Sequence, residues 1–275
     1  MRDEPTPRHR TVARGTAGTP RPAHQQVMER IKLQQARVAL AVELQRHMLP
    51  PELPGLPGLT TAARYVPART GLDIGGDWYD AFALPDGSLG FVIGDVQGHD
   101  VEAAAFMGQV RTGLRAVAGA TTDPGDVLER ANDLLLSMSS DLLTTCTFLR
   151  FEPACGELAG ARAGHLPAVW GTAAGTEVLT DPGGLPLGVF PDQRYPVTRR
   201  RLDRAGAFVL LTDGVVEGPS FPIEQGLARV AGIVGAAYEA AADDLAAQVV
   251  AVADLTGHTD DAAVLVLRHD GGPYG

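Results

Sequence analysis

Residues 75–96 read GGDWYDAFALPDGSLGFVIGDV, and this stretch decides the fold. The segments 79–84 and 89–93 have the composition of β-strands, and Pro85-Asp86-Gly87 lies between them. That order of residues predicts a three-residue hairpin loop, in which the glycine takes a left-handed conformation that other residues adopt only at a cost. Counting outward from this loop places Asp77 directly opposite Asp95.

The facing pair of Asp77 and Asp95 is the first candidate site. Directly opposed residues in a hairpin have Cβ atoms about 4.5–5.5 Å apart, and two carboxylates so close repel each other unless a cation lies between them. Two divalent metal ions about 3.5–4 Å apart fit such a pair and would support hydrolysis of a phosphate ester. The alternative interpretation is a surface hairpin whose acids are simply solvated. A two-residue loop would place the carboxylates on opposite faces.

Composition narrows the function classes. The chain has 275 residues, 45% hydrophobic and 20% charged, which suits one large globular domain or two small ones. The net charge of −10 argues against nucleic acid or an anionic membrane as the main partner. No apolar run reaches the roughly 18 residues of a membrane span, and no secretory signal is present. Cys146 and Cys155 form no metal-binding pair and no disulfide scaffold, so we expect a reduced, cytoplasmic setting.

The N-terminal part divides into a tail and a helix. Residues 1–24 carry arginines and prolines but almost no large apolar side chains, so we predict a disordered basic tail. Residues 25–49 have helical periodicity, and Pro50 ends the predicted helix. This linker helix either packs on the domain that follows, residues 50–270, or pairs two copies of the chain into a homodimer.

The remaining pattern is typical of an α+β domain with two sheets and helices outside. Residues 218–226 contain prolines without strong periodicity and are interpreted as a loop or as a flap over the substrate. Predicted helices span 102–118, 124–137 and 243–255. Predicted strands span 60–66, 79–84, 89–93, 144–151, 157–163, 169–170, 176–179, 207–212 and 262–268.

Further acids lie at the ends of predicted strands. Asp213 follows the apolar strand 207–212, and Asp260-Asp261 precedes the last strand. Taken singly, each is best explained as a turn residue or a helix cap. Together with Asp77 and Asp95, they offer four or more oxygen ligands and no thiol at one rim of a sheet core. Hard oxygen ligands favour Mg²⁺ or Mn²⁺ over zinc.

Six short motifs follow one another in a fixed order, although one of them alone would carry little weight. They are Gly75-Gly76-Asp77-Trp78-Tyr79-Asp80, Gly94-Asp95-Val96-Gln97-Gly98-His99, Ala163-Gly164-His165-Leu166-Pro167, Leu185-Pro186-Leu187-Gly188, Leu211-Thr212-Asp213-Gly214 and Asp260-Asp261. In this order the chain resembles the SpoIIE/RsbU-type serine phosphatases, a bacterial branch of the metal-dependent PPM (PP2C-like) phosphatases. The resemblance covers about residues 40–268.

The resemblance implies a four-layer αββα sandwich, with two antiparallel sheets flanked by helices and two Mn²⁺ or Mg²⁺ ions at one end. Asp77 and Asp95 would be the catalytic residues, with Asp95 bridging both ions. Asp260 matches the family's ligand position and Asp261 its polar follower, and an exchange of these two roles stays open. The implied metal ligands are Asp77, Asp95, Val96 through its carbonyl, Asp213 and Asp260.

The resemblance also implies the chemistry and the partner. Metal ions lower the pKa of a bound water, and the resulting hydroxide would attack phosphorus without a protein nucleophile. The substrate would be a phosphoserine or phosphothreonine on an anti-sigma-factor antagonist of the STAS type. Its dephosphorylation would free a sigma factor, as in a stress response.

Asp100 stands where the family usually has glycine after the histidine of the second motif. An extra acid there would disturb metal binding or the start of the next helix. It favours an alternative function: a catalytically weak module with a phosphatase fold that binds and sequesters a phosphoprotein regulator.

For phosphate binding and proton donation, the residues of this chain fit the family pattern less well. Leu72 stands where the eukaryotic PP2C branch has a phosphate-binding arginine, and Arg64 and Arg69 are the nearby arginines. His99 is a candidate general acid or a turn residue that bonds the backbone. His165 is better explained as a residue that shapes a loop than as a proton donor.

Overall fold

The protein is described from a computed structural model. The described residues are 25, 27–33, 36, 48–68, 75–98, 101–138 and 140–272. Contacts divide the chain into two units, Met1–Ala36 and Arg37–Gly275. The described residues of the first unit are helical and exposed. The predicted tail and most of the predicted helix 25–49 lie outside the described residues, so the proposed domain boundaries stay predictions.

Within the described ranges of the second unit, ten strands form two sheets of five strands, and every neighbouring pair is antiparallel. Sheet A has the order β1-β10-β9-β6-β7, and sheet B has the order β2-β3-β4-β5-β8. The strands are β1 Leu59–Val66, β2 Trp78–Ala83, β3 Leu89–Val96, β4 Thr144–Glu152, β5 Glu157–Ala163, β6 Ala168–Thr172, β7 Gly175–Leu179, β8 Val197–Arg201, β9 Gly206–Leu211 and β10 Ala262–His269.

Helices cover the outer faces of both sheets. In this unit they are α1 Val101–Ala118, α2 Pro124–Ser137, α3 Asp213–Val216, α4 Ile223–Ala237, α5 Ala242–Val250 and α6 Ala253–Thr256. Helices α1 and α2 pack on sheet B, whereas α4 and α5 pack on sheet A. A third apolar cluster, which includes Phe91 and Leu265, fills the space between the sheets. These four layers confirm the predicted αββα fold. Every described helix is too short or too polar to cross a bilayer.

The central hairpin has the predicted register. Trp78 pairs with Gly94 and Ala83 with Leu89, so the same register places Asp77 opposite Asp95. The Leu84 amide donates to the Ser88 carbonyl over 2.8 Å, which closes the three-residue loop. Gly87 has a φ of 88°, the left-handed conformation predicted for this position.

Gly87→Ala should destabilise the protein by about 1–2 kcal/mol, because a left-handed backbone conformation is unfavourable for alanine. The space around the new Cβ is open, so no steric clash adds to this cost. Gly232→Ala is the matched control: this exposed position in α4 also has open space, but its backbone is helical. That variant should gain about 0.5–1 kcal/mol. Urea unfolding of both variants measures the difference, and equal effects would contradict the backbone explanation.

Sequence analysis missed α4 and joined two helices near the C-terminus. Seven of the 15 residues of α4 are glycine or alanine, so few large apolar side chains mark its buried face. The segment 218–226 is a tight turn, in which Gly218 and Phe221 exchange two backbone hydrogen bonds of 3.0 Å, followed by the first turn of α4. The predicted helix 243–255 is two helices, α5 and α6.

Buried Asp80 fastens α1 to the hairpin. Arg111 of α1 donates to its carboxylate over 3.1 Å, and Arg115, one turn later, lies 3.4 Å away. Arg115 also lies over the Phe82 ring, 4.8 Å from its centroid. The strand that begins just after Asp77 is therefore held rigidly against its covering helix.

Candidate active site

One end of the sandwich gathers three carboxylates from distant parts of the chain. Asp77 directly precedes β2, Asp95 lies near the end of β3, and Asp213 begins α3 two residues after the end of β9. One carboxylate oxygen from each of the three lies within 4.8 Å of the other two. Asp77 is buried, and Asp95 and Asp213 are half-buried. Both sheets contribute to this acidic cluster.

Burial and mutual repulsion make the cluster costly to ionise. Burial, with the charges of Asp213 and Asp260, raises the pKa of Asp95 to about 8. Burial, with the charges of Asp95 and Asp213, raises the pKa of Asp77 well above its ordinary value. Burial, with the charge of Asp260, raises the pKa of Asp213. At neutral pH the cluster therefore binds protons or another cation.

The cluster fits divalent metal ions. Among the described residues, no ion pair joins an arginine or lysine to Asp77, Asp95 or Asp213. The Oδ1 atom of Asp213 is buried and has no hydrogen-bond partner among those residues. A set of carboxylate oxygens without a thiol or an imidazole is the donor set that Mg²⁺ and Mn²⁺ prefer.

The two neighbouring acids before β10 differ in their surroundings. Asp260 is exposed, and its charge acts on Asp95 and Asp213. Asp261 is buried, and its Oδ1 accepts a hydrogen bond from the Ala68 amide over 2.9 Å. The charge of Asp261 also acts on Asp77 and Asp95, so which of the two acids is a metal ligand stays a prediction.

Two glycines leave room for Asp261. A Cβ at Gly75 would lie 1.4 Å from its Oδ2 atom, and a Cβ at Gly214 would lie 1.9 Å from its carbonyl oxygen. The chain therefore approaches Asp261 closely from both sides, next to Asp77 and Asp213. Both glycines belong to the short motifs of the sequence, but their contacts with Asp261 could not be predicted from those motifs.

Val96 ends strand β3 at the end of the hairpin that lies away from the loop. Its amide donates to the Gly76 carbonyl over 3.2 Å, and the Thr144 hydroxyl donates to the Asp95 carbonyl over 2.8 Å. These bonds hold the backbone around Asp95 in place. Coordination by the Val96 carbonyl stays a prediction.

Thr212 is a residue of the site that sequence analysis missed. Its hydroxyl donates to Asp77 Oδ2 over 2.7 Å. The motif Leu211-Thr212-Asp213-Gly214 drew attention to its aspartate alone, because the partner of the threonine lies 135 residues away.

His165 is buried and interacts with the hydroxyl of Thr145 across 2.8 Å at Nδ1. Burial, with the charge of Arg162, lowers the pKa of His165 to about 3. The Arg162 guanidinium also donates to the His165 carbonyl over 2.6 Å. A neutral imidazole held in this way supports the predicted loop-shaping role.

Other expected residues lie away from the cluster or outside the described residues. Arg64 forms an exposed ion pair with Asp243 of α5. His99 and Asp100 lie outside the described residues, as do Arg69 and Leu72.

An open cleft adjoins the cluster. Asp213 and Asp260 both line it, so both acids face this open space. Its lining comprises Asp213, Gly214, Glu217, Gly218, Pro219, Thr259 and Asp260.

Comparison with known proteins assigns this architecture to a family. The family model described as Stage II sporulation protein E (SpoIIE) matches residues 85–270. Phosphoserine phosphatase RsbU of Bacillus subtilis is 24% identical over 184 residues, which cover 66% of this chain and 54% of that protein. The chain spans between about a third and just over half of the length of the curated relatives it matches.

Solved structures agree with the fold. The RsbU and RsbW domains of Rv1364c from Mycobacterium tuberculosis match with a TM-score of 0.72 and 32% identity, covering 82% of this chain and 63% of that chain. The structure of the PP2C phosphatase domain and a fragment of the regulatory domain of SpoIIE from Bacillus subtilis matches with a TM-score of 0.64 at 18% identity. That match covers 76% of this chain and 63% of the other.

Proposed function

Because this chain belongs to the SpoIIE family, we propose that it is a metal-dependent protein serine/threonine phosphatase. Its proposed substrate is a phosphoserine or phosphothreonine on an anti-sigma-factor antagonist of the STAS type. The observation that carries the proposal is the set of three carboxylates, Asp77, Asp95 and Asp213, which offer oxygens within 4.8 Å of one another beside an open cleft.

The residues that would hold two divalent cations are Asp77, Asp95, Val96 through its carbonyl, Asp213 and Asp260. When bound, Mn²⁺ or Mg²⁺ supplies a water of lowered pKa and neutralises phosphoryl oxygens. The chain's own contribution is to hold Asp77 and Asp95 in register on one hairpin and to keep Asp213 rigid at the end of β9. The cleft beside Asp260 leaves space for a protein-borne phosphoserine.

A cysteine nucleophile does not fit the described site. Cys146 is buried, and burial raises the pKa of its thiol, so the reactive thiolate is disfavoured. Cys155 is exposed, but it follows β4 at the end opposite to Thr145, which pairs with Asp95. The length of β4, about 25–30 Å, separates that thiol from the acidic cluster.

The proposal is tested by phosphate release. The full chain should liberate inorganic phosphate from a serine-phosphorylated STAS protein in Mn²⁺, and excess EDTA should reduce release to the rate of the buffer control. A Cys155→Ser variant should retain the full rate. Failure to release phosphate from this substrate and from para-nitrophenyl phosphate in Mn²⁺ would refute the phosphatase proposal.

The alternative is a phosphatase-fold module that sequesters its phosphoprotein, and Asp100 is the observation in its favour. Tight binding of the phosphorylated STAS protein without turnover in Mn²⁺ would favour this alternative.

The proposed function also includes a homodimer, in which residues 25–49 of two copies of the chain pair with each other.

A further inference from the structure

Thr212 uses its hydroxyl in an unusual way. It is the residue before α3, with φ of −91° and ψ of 166°, and its side chain makes no capping hydrogen bond. A threonine in that position ordinarily accepts a hydrogen bond from a backbone amide of the helix that follows. Because the buried Thr212 departs from this capping preference, its hydroxyl is expected to serve another function.

The surroundings fix the direction of the hydroxyl proton. The Ala263 amide donates to Thr212 Oγ1 over 2.8 Å, so that oxygen serves as an acceptor on one side. The hydroxyl has one proton to donate, and the nearer acceptor is Asp77 Oδ2 at 2.7 Å, against 3.4 Å for the Ala263 carbonyl. A donor that is already oriented favours one position of the Asp77 carboxylate.

The bond also joins the two sheets at the acidic cluster. Thr212 follows β9 of sheet A, whereas Asp77 precedes β2 of sheet B, and both residues are buried. The Thr212 amide donates to the Ala263 carbonyl over 3.0 Å, which anchors the threonine to β10. Asp213 is the next residue. The anchored Thr212 therefore contacts the carboxylate of Asp77 and directly precedes Asp213 in the chain.

We propose that Thr212 is a positioning residue, which holds Asp77 at the place that cation binding requires relative to Asp213. This inference rests on the metal centre of the proposed function. Groups that orient metal ligands without touching the metal typically change metal affinity by about 10- to 100-fold when removed.

The test is Mn²⁺ titration of the full chain by calorimetry, with four variants. Thr212→Val keeps the shape and removes the hydroxyl, and its Mn²⁺ affinity should fall by about 10- to 100-fold. Thr212→Ser keeps a hydroxyl, and its Mn²⁺ affinity should lie within about threefold of the wild-type value. Thr212→Cys offers only a weak donor, so its Mn²⁺ affinity should be lower than that of the serine variant. Thr147→Val is the matched control, because Thr147 Oγ1 is buried without a hydrogen-bond partner among the described residues.

The outcomes separate the two proposals. Wild-type affinity in the valine variant overturns the role of Thr212, even if that variant melts at a lower temperature. Should the valine variant not fold, equal Mn²⁺ affinity of the serine and cysteine variants overturns it. Absence of Mn²⁺ binding by the wild-type chain would instead refute the metal centre itself.

Discussion

Replacing Asp95 by asparagine should lower the rate of phosphate release more than about 100-fold and stabilise the metal-free protein. Loss of a group that only supports a metal ligand already costs about 10- to 100-fold, so loss of a proposed bridging ligand should cost more. Stability should rise because the carboxylate is destabilised by burial and by its acidic neighbours, as its raised pKa of about 8 indicates. The expected gain at pH 7 is on the order of 1 kcal/mol or more.

Kinetic assay in Mn²⁺ and urea unfolding in EDTA measure the two effects on one preparation. Asp133→Asn is the control, since it removes the same charge from an exposed position in α2 outside its first turn. It should leave both quantities close to those of the wild type. A loss of activity together with a loss of metal-free stability would indicate a merely structural role for Asp95.

The metal-free protein should lose stability as the pH rises from about 5 to about 8. The pKa of Asp95 is about 8 in the folded chain and near 3.9 when unfolded, so in between the folded state binds more protons. Stability therefore falls with rising pH across this window. We expect a loss on the order of 3–4 kcal/mol, or about 6–16 °C in Tm.

Mn²⁺ should reverse the sign of this dependence. Cations bind deprotonated carboxylates, so metal binding releases protons and strengthens as the pH rises. Thermal unfolding at several pH values, with EDTA and with saturating Mn²⁺, gives both slopes, and Asp95→Asn should flatten the slope in EDTA. Stability that rises with pH in EDTA would contradict the electrostatic description of the cluster.

The central hairpin could be predicted from sequence because its causes are local. Pro85-Asp86-Gly87 fixes the loop, and the loop fixes the register that places Asp77 opposite Asp95. Asp213 follows the end of a predicted strand, so it could also be expected at the end of the sandwich that holds Asp77 and Asp95. The succession of strands and helices already indicated two sheets with helices outside, and the family resemblance supplied the antiparallel four-layer arrangement.

Contacts between distant segments could not be predicted in this way. The bond from Thr212 to Asp77 depends on how two sheets pack, and in sequence the threonine is only the last residue of a predicted strand. The burial of Asp261 beside Ala68 likewise depends on tertiary packing. Helix α4 escaped prediction because glycine and alanine are frequent in it, and its few larger buried residues, such as Val230 and Val234, are covered only by packing on sheet A.

The close approach of two glycines to Asp261 has a consequence for evolution. Gly75 and Gly214 come from segments far apart in the gene, yet each faces the same acid at a distance that admits no methyl group. A descendant that exchanged Gly75 would first need a smaller side chain at position 261, whereas one that exchanged Gly214 would need the backbone at position 261 to move. The codons of Gly75 and Asp261 should therefore change together, and the codon of Gly214 should stay fixed for as long as this backbone arrangement is kept.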